Sequence, residues 1–393
     1  WDPHRGGYHQ NFHSKVVINR VLEQFLWATV AKIAVICDRE FFLPFDQRVY
    51  KEVVTMKKAG HDVEIITPHE TTTTKDLEGI TVHCLSTNGF PGSTALKLIK
   101  KSLKKDYDIY YCHEFDPLIF SRIIKLFTRK PVIWDCHEYL VQMKKELQGN
   151  LAATLTNIAV NWSAPKVDHI VTVDNRLARS LSSFGKITVI PNYPNISDFE
   201  INIDKRESDW VTALYVGSLT ERRGIKKILR STKIVREKLN LKLKIVGDFY
   251  DNKLKNWAIN YDKKHKLEID WMGWINYREL APVIRNADFG LFMNQPGPRY
   301  LKGLPTKIFE YMIMELPVLS AKGPLLNTLI NKNDIGLTVD STNVDSIARG
   351  MEQMATMTDL QAKGTKGNEL VRKYFCWEAK EHKLLKIIDT LIN

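Results

Sequence analysis

Proline, threonine, lysine and glutamate follow one another at short spacing in the run Gly303-Leu304-Pro305-Thr306-Lys307-Ile308-Phe309-Glu310-Tyr311-Met312. Proline tolerates the first turn of a helix and threonine can cap free amides, so Pro305 and Thr306 mark a helix start. Such a start offers unpaired N–H groups and the positive end of the helix dipole to an anion. Lys307 adds a full charge in the same turn. Glu310 follows about one turn later, where its carboxylate can accept hydrogen bonds from hydroxyls on whatever carries the anion. The same residues also suit an ordinary amphipathic helix, with Lys307 and Glu310 as an i,i+3 surface pair. Leu316-Pro317-Val318-Leu319 beyond it reads as a buried strand.

Three further groups carry chemistry. Gly217-Ser218-Leu219-Thr220-Glu221-Arg222-Arg223-Gly224 is a glycine-bracketed loop with two guanidiniums, suited to bidentate phosphate contact at a helix start. Trp134-Asp135-Cys136-His137-Glu138 closes an apolar run, and strand ends are where open α/β sheets present catalytic groups. Imidazole suits such a place because a modest change of surroundings sets its charge near neutral pH. His113-Glu114 with Asp116 repeats the pattern one strand earlier, and together the two His-Glu pairs have the donor types of a metal site. The segment Asp38-Arg39 to Asp46-Gln47-Arg48 joins the first strand to its helix, with Phe41, Phe42 and Phe45 among its residues.

The elements that must position these groups alternate. Apolar runs at 31–37, 62–67, 108–112, 131–135, 169–173 and 187–190 are separated by helical patterns. The turn-rich Pro191-Asn192-Tyr193-Pro194-Asn195 interrupts the rhythm, which restarts with strands near 211–216, 243–246, 269–272, 289–293, 318–320 and 336–339. Alternation of this kind predicts two parallel, doubly wound α/β sheets joined near residue 195. The expected extents are an extension and amphipathic helix over 1–30, one domain over 31–195, a second over 196–376, and a final amphipathic helix over 377–393. No GxGxxG occurs, so the common dinucleotide fingerprint is missing.

The run 303–319 resembles the nucleotide-sugar motif of GT-B glycosyltransferases, in particular the large retaining family 4, in a P-T-K-x-F-E-Y-M … P-V form. The resemblance implies two Rossmann-like domains facing across a cleft, with the last helix crossing back to the first; Phe375-Cys376-Trp377-Glu378 is similar to the family's F-S-W-E. It implies sugar transfer from a nucleoside-diphosphate donor to an acceptor hydroxyl with retention, and no cofactor or catalytic metal. Carried over residue by residue, Glu310 binds the donor ribose, and the helix start at Thr306 and Lys307 holds the diphosphate. His137 stands close to the donor sugar and leaving group. The loop 217–224 is similar to the family's G-R-L-x-x-x-K-G, with Gly217 at the first glycine and Arg223 at the lysine. Ser218 replaces the arginine, a charge that Arg222, Arg299 or Lys302 can supply. Lys302 stands where the common form has a glutamate, which favours a negatively charged donor sugar or a replacement phosphate contact. Glu315 occupies a usual glycine position. Asp46 and Arg48 resemble an acceptor-side D-x-R, and His113 joins them as an acceptor-side candidate.

At 393 residues, with 44% hydrophobic and 26% charged, the chain has the composition of a globular protein large enough for two cores. Its net charge of +12 favours anionic partners. The basic residues follow no aromatic-interleaved stripe, which argues against nucleic acid. Cys37, Cys84, Cys112, Cys136 and Cys376 are odd in number with no CxxC, and read as reduced and buried. No run of about 18 apolar residues reads as a membrane span, and no secretory signal is evident. A cytoplasmic protein is expected. The charge, the 14–30 helix and the three phenylalanines suggest peripheral contact with an anionic inner-membrane face, and a glycan or lipid-linked acceptor in bacterial-type envelope synthesis. Residues 1–13 read as an excised start, and His4, His9 and His13 are not taken as a metal site. A sugar-nucleotide epimerase and a non-catalytic nucleotide- or glycan-binding relative remain open alternatives.

Overall fold

Strands that are buried on both faces should read as near-continuous apolar runs, and β1 (Lys32–Ile36), β5 (Ile109–His113) and β6 (Val132–Cys136) do so. The computed structural model describes residues 29–42, 45–90, 92–201, 209–297 and 303–393. Lys302, Arg299 and nearly all of the expected helix at 14–30 lie outside them. The described residues form two units: one runs to Ile190 and takes in Glu381–Asn393, and the other is Pro191–Lys380.

The first unit is built on an eight-stranded sheet. Its remaining strands are β2 (Asp62–His69), β3 (Thr73–Leu77), β4 (Ile80–Ser86), β7 (His169–Thr172) and β8 (Ile187–Val189). The spatial order is β3-β4-β2-β1-β5-β6-β7-β8, parallel throughout except for the antiparallel β3–β4 pair. From β1 the chain winds outward through β2, then returns to place β5 on the other side of β1. That reversal is the topological switch point, where ligands of open sheets bind outside the strands' carboxyl ends. The helix Gln47–Lys58 starts at Asp46, whose carboxylate accepts from the N–H groups of Arg48 and Val49. Its outer side is joined by the helix His382–Ile392, through Thr55 Oγ1 donating to Glu381 Oε2 at 2.8 Å. The final helix thus starts at His382, later than the expected Trp377. Trp377 is buried in the second unit, its N–H donating to Pro194 O at 2.9 Å.

The second unit holds six parallel strands: β9 (Val211–Val216), β10 (Leu241–Val246), β11 (Asp270–Gly273), β12 (Phe289–Phe292), β13 (Val318–Ala321) and β14 (Gly336–Val339). Their order, β11-β10-β9-β12-β13-β14, puts the switch point between β9 and β12. Over it lies the helix Thr306–Ile313, seated by Ile308, Phe309, Tyr311 and Met312, all buried. Phe309 stacks on Phe375 at 5.2 Å and meets the edge of Tyr193 at 4.9 Å, which ties the linker to this helix. Tyr311 fixes the helix against the sheet. Its hydroxyl accepts from the N–H of Val216, the last residue of β9, at 3.1 Å. Its ring lies where a side chain on residue 290 would stand: a Cβ on Gly290 would come within 2.5 Å of it.

All five cysteines are free and buried. Phe41 is fully buried, and the rings of Phe42 and Phe45 pack on it at 5.1 and 5.2 Å, so this cluster is not the exposed aromatic patch expected. Tyr311→Phe keeps the packing but leaves the buried Val216 N–H without its acceptor. A loss of about 1–3 kcal/mol in the second unit follows, with faster hydrogen exchange at Val216. Unchanged exchange at that amide would mean the hydroxyl does not fix the strand end.

Candidate active site

In the second unit three elements meet at the end of β9. Gly217 closes the strand at a φ of 144°, and a Cβ placed on it would stand 2.8 Å from both Arg223 Nη1 and Lys307 Cε. The two cationic side chains therefore converge over the Gly217 backbone, one from the loop after β9 and one from the first turn of Thr306–Ile313. Gly247, after β10, has its missing Cβ position 2.0 Å from Gly217 O, so these two loops touch backbone to backbone. Only glycine permits that approach. Burial lowers the pKa of Lys307 and the Arg223 charge lowers it further, against the pull of Glu310. No side chain caps the helix start at Pro305. Two crowded cations beside an uncapped helix N-terminus form an arrangement that an anion relieves.

Glu310 is buried, 4% exposed, on the same helix, with Lys307 and Tyr277 in its electrostatic surroundings. Thr306 does not cap its own helix: Oγ1 donates to Asn192 O at 3.2 Å and so fastens the linker. Ser218 contributes its carbonyl, which accepts from Tyr215 Oη at 3.0 Å. Arg222 is exposed, and its carbonyl accepts from the Gln295 N–H at 2.7 Å. Lys302, expected at the donor sugar, lies outside the described residues.

In the first unit the ends of β5 and β6 carry a buried polar network. Arg48 donates through Nε and Nη2 to the two oxygens of Asp135 at 2.6 and 3.1 Å, and through Nη1 to Ile190 O at 3.1 Å. Glu52, one turn along the helix, lies 3.2 Å from Arg48 Nη2. His113 bridges Glu52 and Asp135, with 3.4 Å from each ring nitrogen. Arg48 and His113 are both 2% exposed. The Arg48 guanidinium is thus engaged inside the unit, His113 is enclosed between two carboxylates, and Asp46 caps the helix. The i,i+4 spacing of Arg48 and Glu52 was a signal available in the sequence, and Glu52 was missed.

His137 differs from His113. Its Nδ1 lies 3.0 Å from Glu114 Oε1 and 3.9 Å from Asp135 Oδ1, and its backbone N–H donates to the same Glu114 oxygen at 2.9 Å. Glu114 reaches this position with a left-handed φ of 65°, a costly conformation for a side chain of its size. Its carbonyl accepts from Trp134 Nε1 at 2.8 Å, which holds the turn. Burial opposes charge on His137, but Glu114 and Asp135 outweigh it and hold the pKa well above the ordinary histidine value. For His113 burial prevails over Asp135 and drives the pKa down to about 4. The two imidazoles are thus driven in opposite directions, His113 toward its neutral form and His137 toward its charged one. Both ion-pair contacts of His137 are made by Nδ1, and its side chain is 18% exposed.

The ligand atoms of His113, Asp135 and His137 lie within 4.8 Å of one another, close enough for a metal. The donor set fits one poorly. Both Asp135 oxygens also accept from Arg48, which competes with a metal for that carboxylate.

Two family models match adjoining parts of the chain: Glycosyltransferase Family 4 over residues 47–196 and Glycosyl transferases group 1 over 197–369. The chain belongs to the GT-B glycosyltransferases. This glycosyltransferase is 23% identical over 323 residues to an uncharacterized glycosyltransferase of Methanocaldococcus jannaschii, covering 75% of this chain and 80% of that one. Sucrose-phosphate synthase from Thermosynechococcus elongatus shares its fold with a TM-score of 0.73 at 15% identity, over 92% of this chain and 99% of that one. Anabaena HepE, solved with UDP and glucose, gives a TM-score of 0.69 at 13% identity, over 92% and 100%. At such identities the structural likeness speaks for the fold.

The His137 environment has a pH signature. A folded pKa above the unfolded value of about 6.5 adds stability that is full below that pH and disappears as pH rises through the folded pKa. Denaturant titrations across pH should therefore show the parent's advantage over His137→Gln greatest below about pH 6.5 and narrowing above it. A constant difference would mean that folding leaves the ring's pKa unshifted, and an advantage that grows as pH rises would mean that the fold keeps the ring neutral.

Proposed function

We propose that this glycosyltransferase transfers a sugar from a nucleoside-diphosphate donor to an acceptor hydroxyl with retention of configuration. The observation that carries this reading is the convergence of Arg223 and Lys307 over Gly217, beside an uncapped helix start, with Glu310 buried one turn along. The cations and helix amides match a diphosphate, and the Glu310 carboxylate offers two acceptors to the two ribose hydroxyls. Two solved neighbours support the donor class in their own right: Anabaena HepE is in complex with UDP and glucose, and an Escherichia coli protein described as trehalose-6-phosphate is bound with UDP-2-fluoro glucose.

Charge building on the departing diphosphate is stabilised by fixed positive groups, so the reaction proceeds without a divalent metal. His137 is the first unit's candidate for assisting at the reacting centre, its ring pushed toward the charged form by Glu114 and Asp135. No carboxylate in this reading serves as a covalent nucleophile, and a same-face substitution assisted by the leaving diphosphate fits retention. Glycan assembly at an anionic membrane face is the setting that suits the +12 charge.

Replacing Glu310 by alanine should weaken nucleoside-diphosphate binding about tenfold or more in calorimetry, the equivalent of one charge-assisted pair of about 1.5–3 kcal/mol. Unchanged affinity in a folded variant would remove Glu310 from the donor site. Turnover should persist in EDTA. Activity lost there and restored by manganese would contradict stabilisation by Arg223 and Lys307, and would bring His113, Asp135 and His137 forward as ligands.

A further inference from the structure

The helix Asn150–Ser163 contains no charged residue along its 14 positions. Its inner face, Ala153, Thr156, Val160 and Ser163, is buried. Its outer face carries Leu151, Leu155, Ile158 and Trp162 in one stripe, 74%, 58%, 59% and 55% exposed. A helix that is apolar on both sides has a second face to cover. The helix Phe115–Thr128 packs beside it and adds exposed Ile123, Leu126 and Phe127. Scattered exposed hydrophobes are ordinary, but a stripe extended across two adjoining helices marks an interaction surface.

The borders of this surface are basic. Arg122, Lys125, Arg129 and Lys130 lie on or just after Phe115–Thr128, Lys125 paired with Asp168 at 2.6 Å and Lys130 with Asp108 at 3.4 Å, and residues 117–134 of the sequence include no acid. Lys144 and Lys145 lie on the helix Leu140–Gln148, which packs against Asn150–Ser163. Arg122 lies over the Trp162 ring at 3.9 Å and donates through Nη1 to Trp162 O at 2.6 Å. An apolar stripe with tryptophan at its end and lysines and arginines beside it has the composition of an interfacial helix. A second copy of the chain seated symmetrically here would set these basic residues against themselves, which like-charge repulsion disfavours.

We propose that the Asn150–Ser163 face, with the outer side of Phe115–Thr128, docks on an anionic lipid bilayer. Leu151, Leu155, Ile158 and Trp162 enter the boundary between headgroups and acyl chains, while the flanking basic groups meet lipid phosphates. This gives the membrane-side reading above a surface among the described residues, and it does not depend on the donor assignment. Among the described residues no helix is long and apolar enough to cross a membrane, so attachment here lies in the interface plane.

The test is sedimentation of the full chain with phosphatidylglycerol-rich or neutral phosphatidylcholine vesicles at low and high salt. Binding to the anionic vesicles that salt weakens is expected. Leu155→Asp with Ile158→Asp should weaken it about tenfold or more, with nucleoside-diphosphate binding and the thermal midpoint unchanged. Should that pair impair folding, Arg129→Glu with Lys130→Glu on the surface keeps the test and should remove the preference for anionic vesicles. No vesicle binding by the parent at low salt overturns the proposal, as does undiminished binding by a folded double variant. A concentration-dependent dimer lost in the aspartate variant, without vesicle binding, overturns it in favour of a second copy. Loss of nucleotide binding in Glu310→Ala with vesicle binding intact keeps this question separate from the donor site.

Discussion

The second unit's candidate site depends on one buried contact, the Tyr311 hydroxyl accepting from the Val216 N–H. The residue at 216 is the last of β9 and the next is Gly217, so the bond sets where the strand gives way to the glycine-bracketed loop 217–224. From the other side it sets the height and rotation of the Thr306–Ile313 helix. Gly290 makes the contact possible, because any side chain there would occupy the space of the tyrosine ring. Lys307 and Glu310 precede Tyr311 by one turn or less, and their positions against Gly217 and Arg223 follow from it. Thr306 and Phe309 extend the same helix to the linker, through Asn192 and Tyr193. A change in how Tyr311 seats would therefore reach the cation pair, the carboxylate and the linker together.

The first unit solves a different problem, burying several ionisable groups without an uncompensated charge. Arg48 commits the Asp135 carboxylate, burial pushes Glu52 well up toward its neutral form, and His113 is kept neutral. What remains is His137, pushed toward its charged form by Glu114 and Asp135. Removing one member of such a set leaves its partner buried and unpaired, which costs more than the pair contributes. The strained Glu114 backbone fits this picture, since it aims one carboxylate oxygen at both the N–H and the ring of His137.

Much of this was legible in the sequence. The two alternating rhythms and the break near Pro191 gave two parallel α/β sheets, because strands covered on both faces are continuously apolar. The run 303–312 and the glycine-bracketed 217–224 marked one candidate site, and the strand end at His137 another. Other features were hidden for physical reasons. β3 reads Thr-Thr-Lys-Asp-Leu on an exposed sheet edge, where polar and charged residues leave no apolar period. Thr306 looked like a cap, but its partner Asn192 lies far away along the chain. Arg48 and His113 carry the chemistry of surface groups, and only the fold shows that each is enclosed with its partners. Tyr311 and Gly290 gave no local sign of their contact. The uncharged stretch 150–163 was in plain view, yet apolar residues on both sides of a helix do not reveal which side the core takes.

The central claim is that Lys307, crowded by Arg223 in a buried setting, receives the donor diphosphate. The direct measurement is the pKa of Lys307 Nζ by NMR, with and without a saturating nucleoside diphosphate. In the free protein it should lie below the ordinary lysine value, since burial and the Arg223 charge both disfavour the ammonium. Bound diphosphate should raise it, because a nearby anion favours the charged form. An ordinary pKa in the free protein, or one that nucleotide binding leaves in place, would contradict the account.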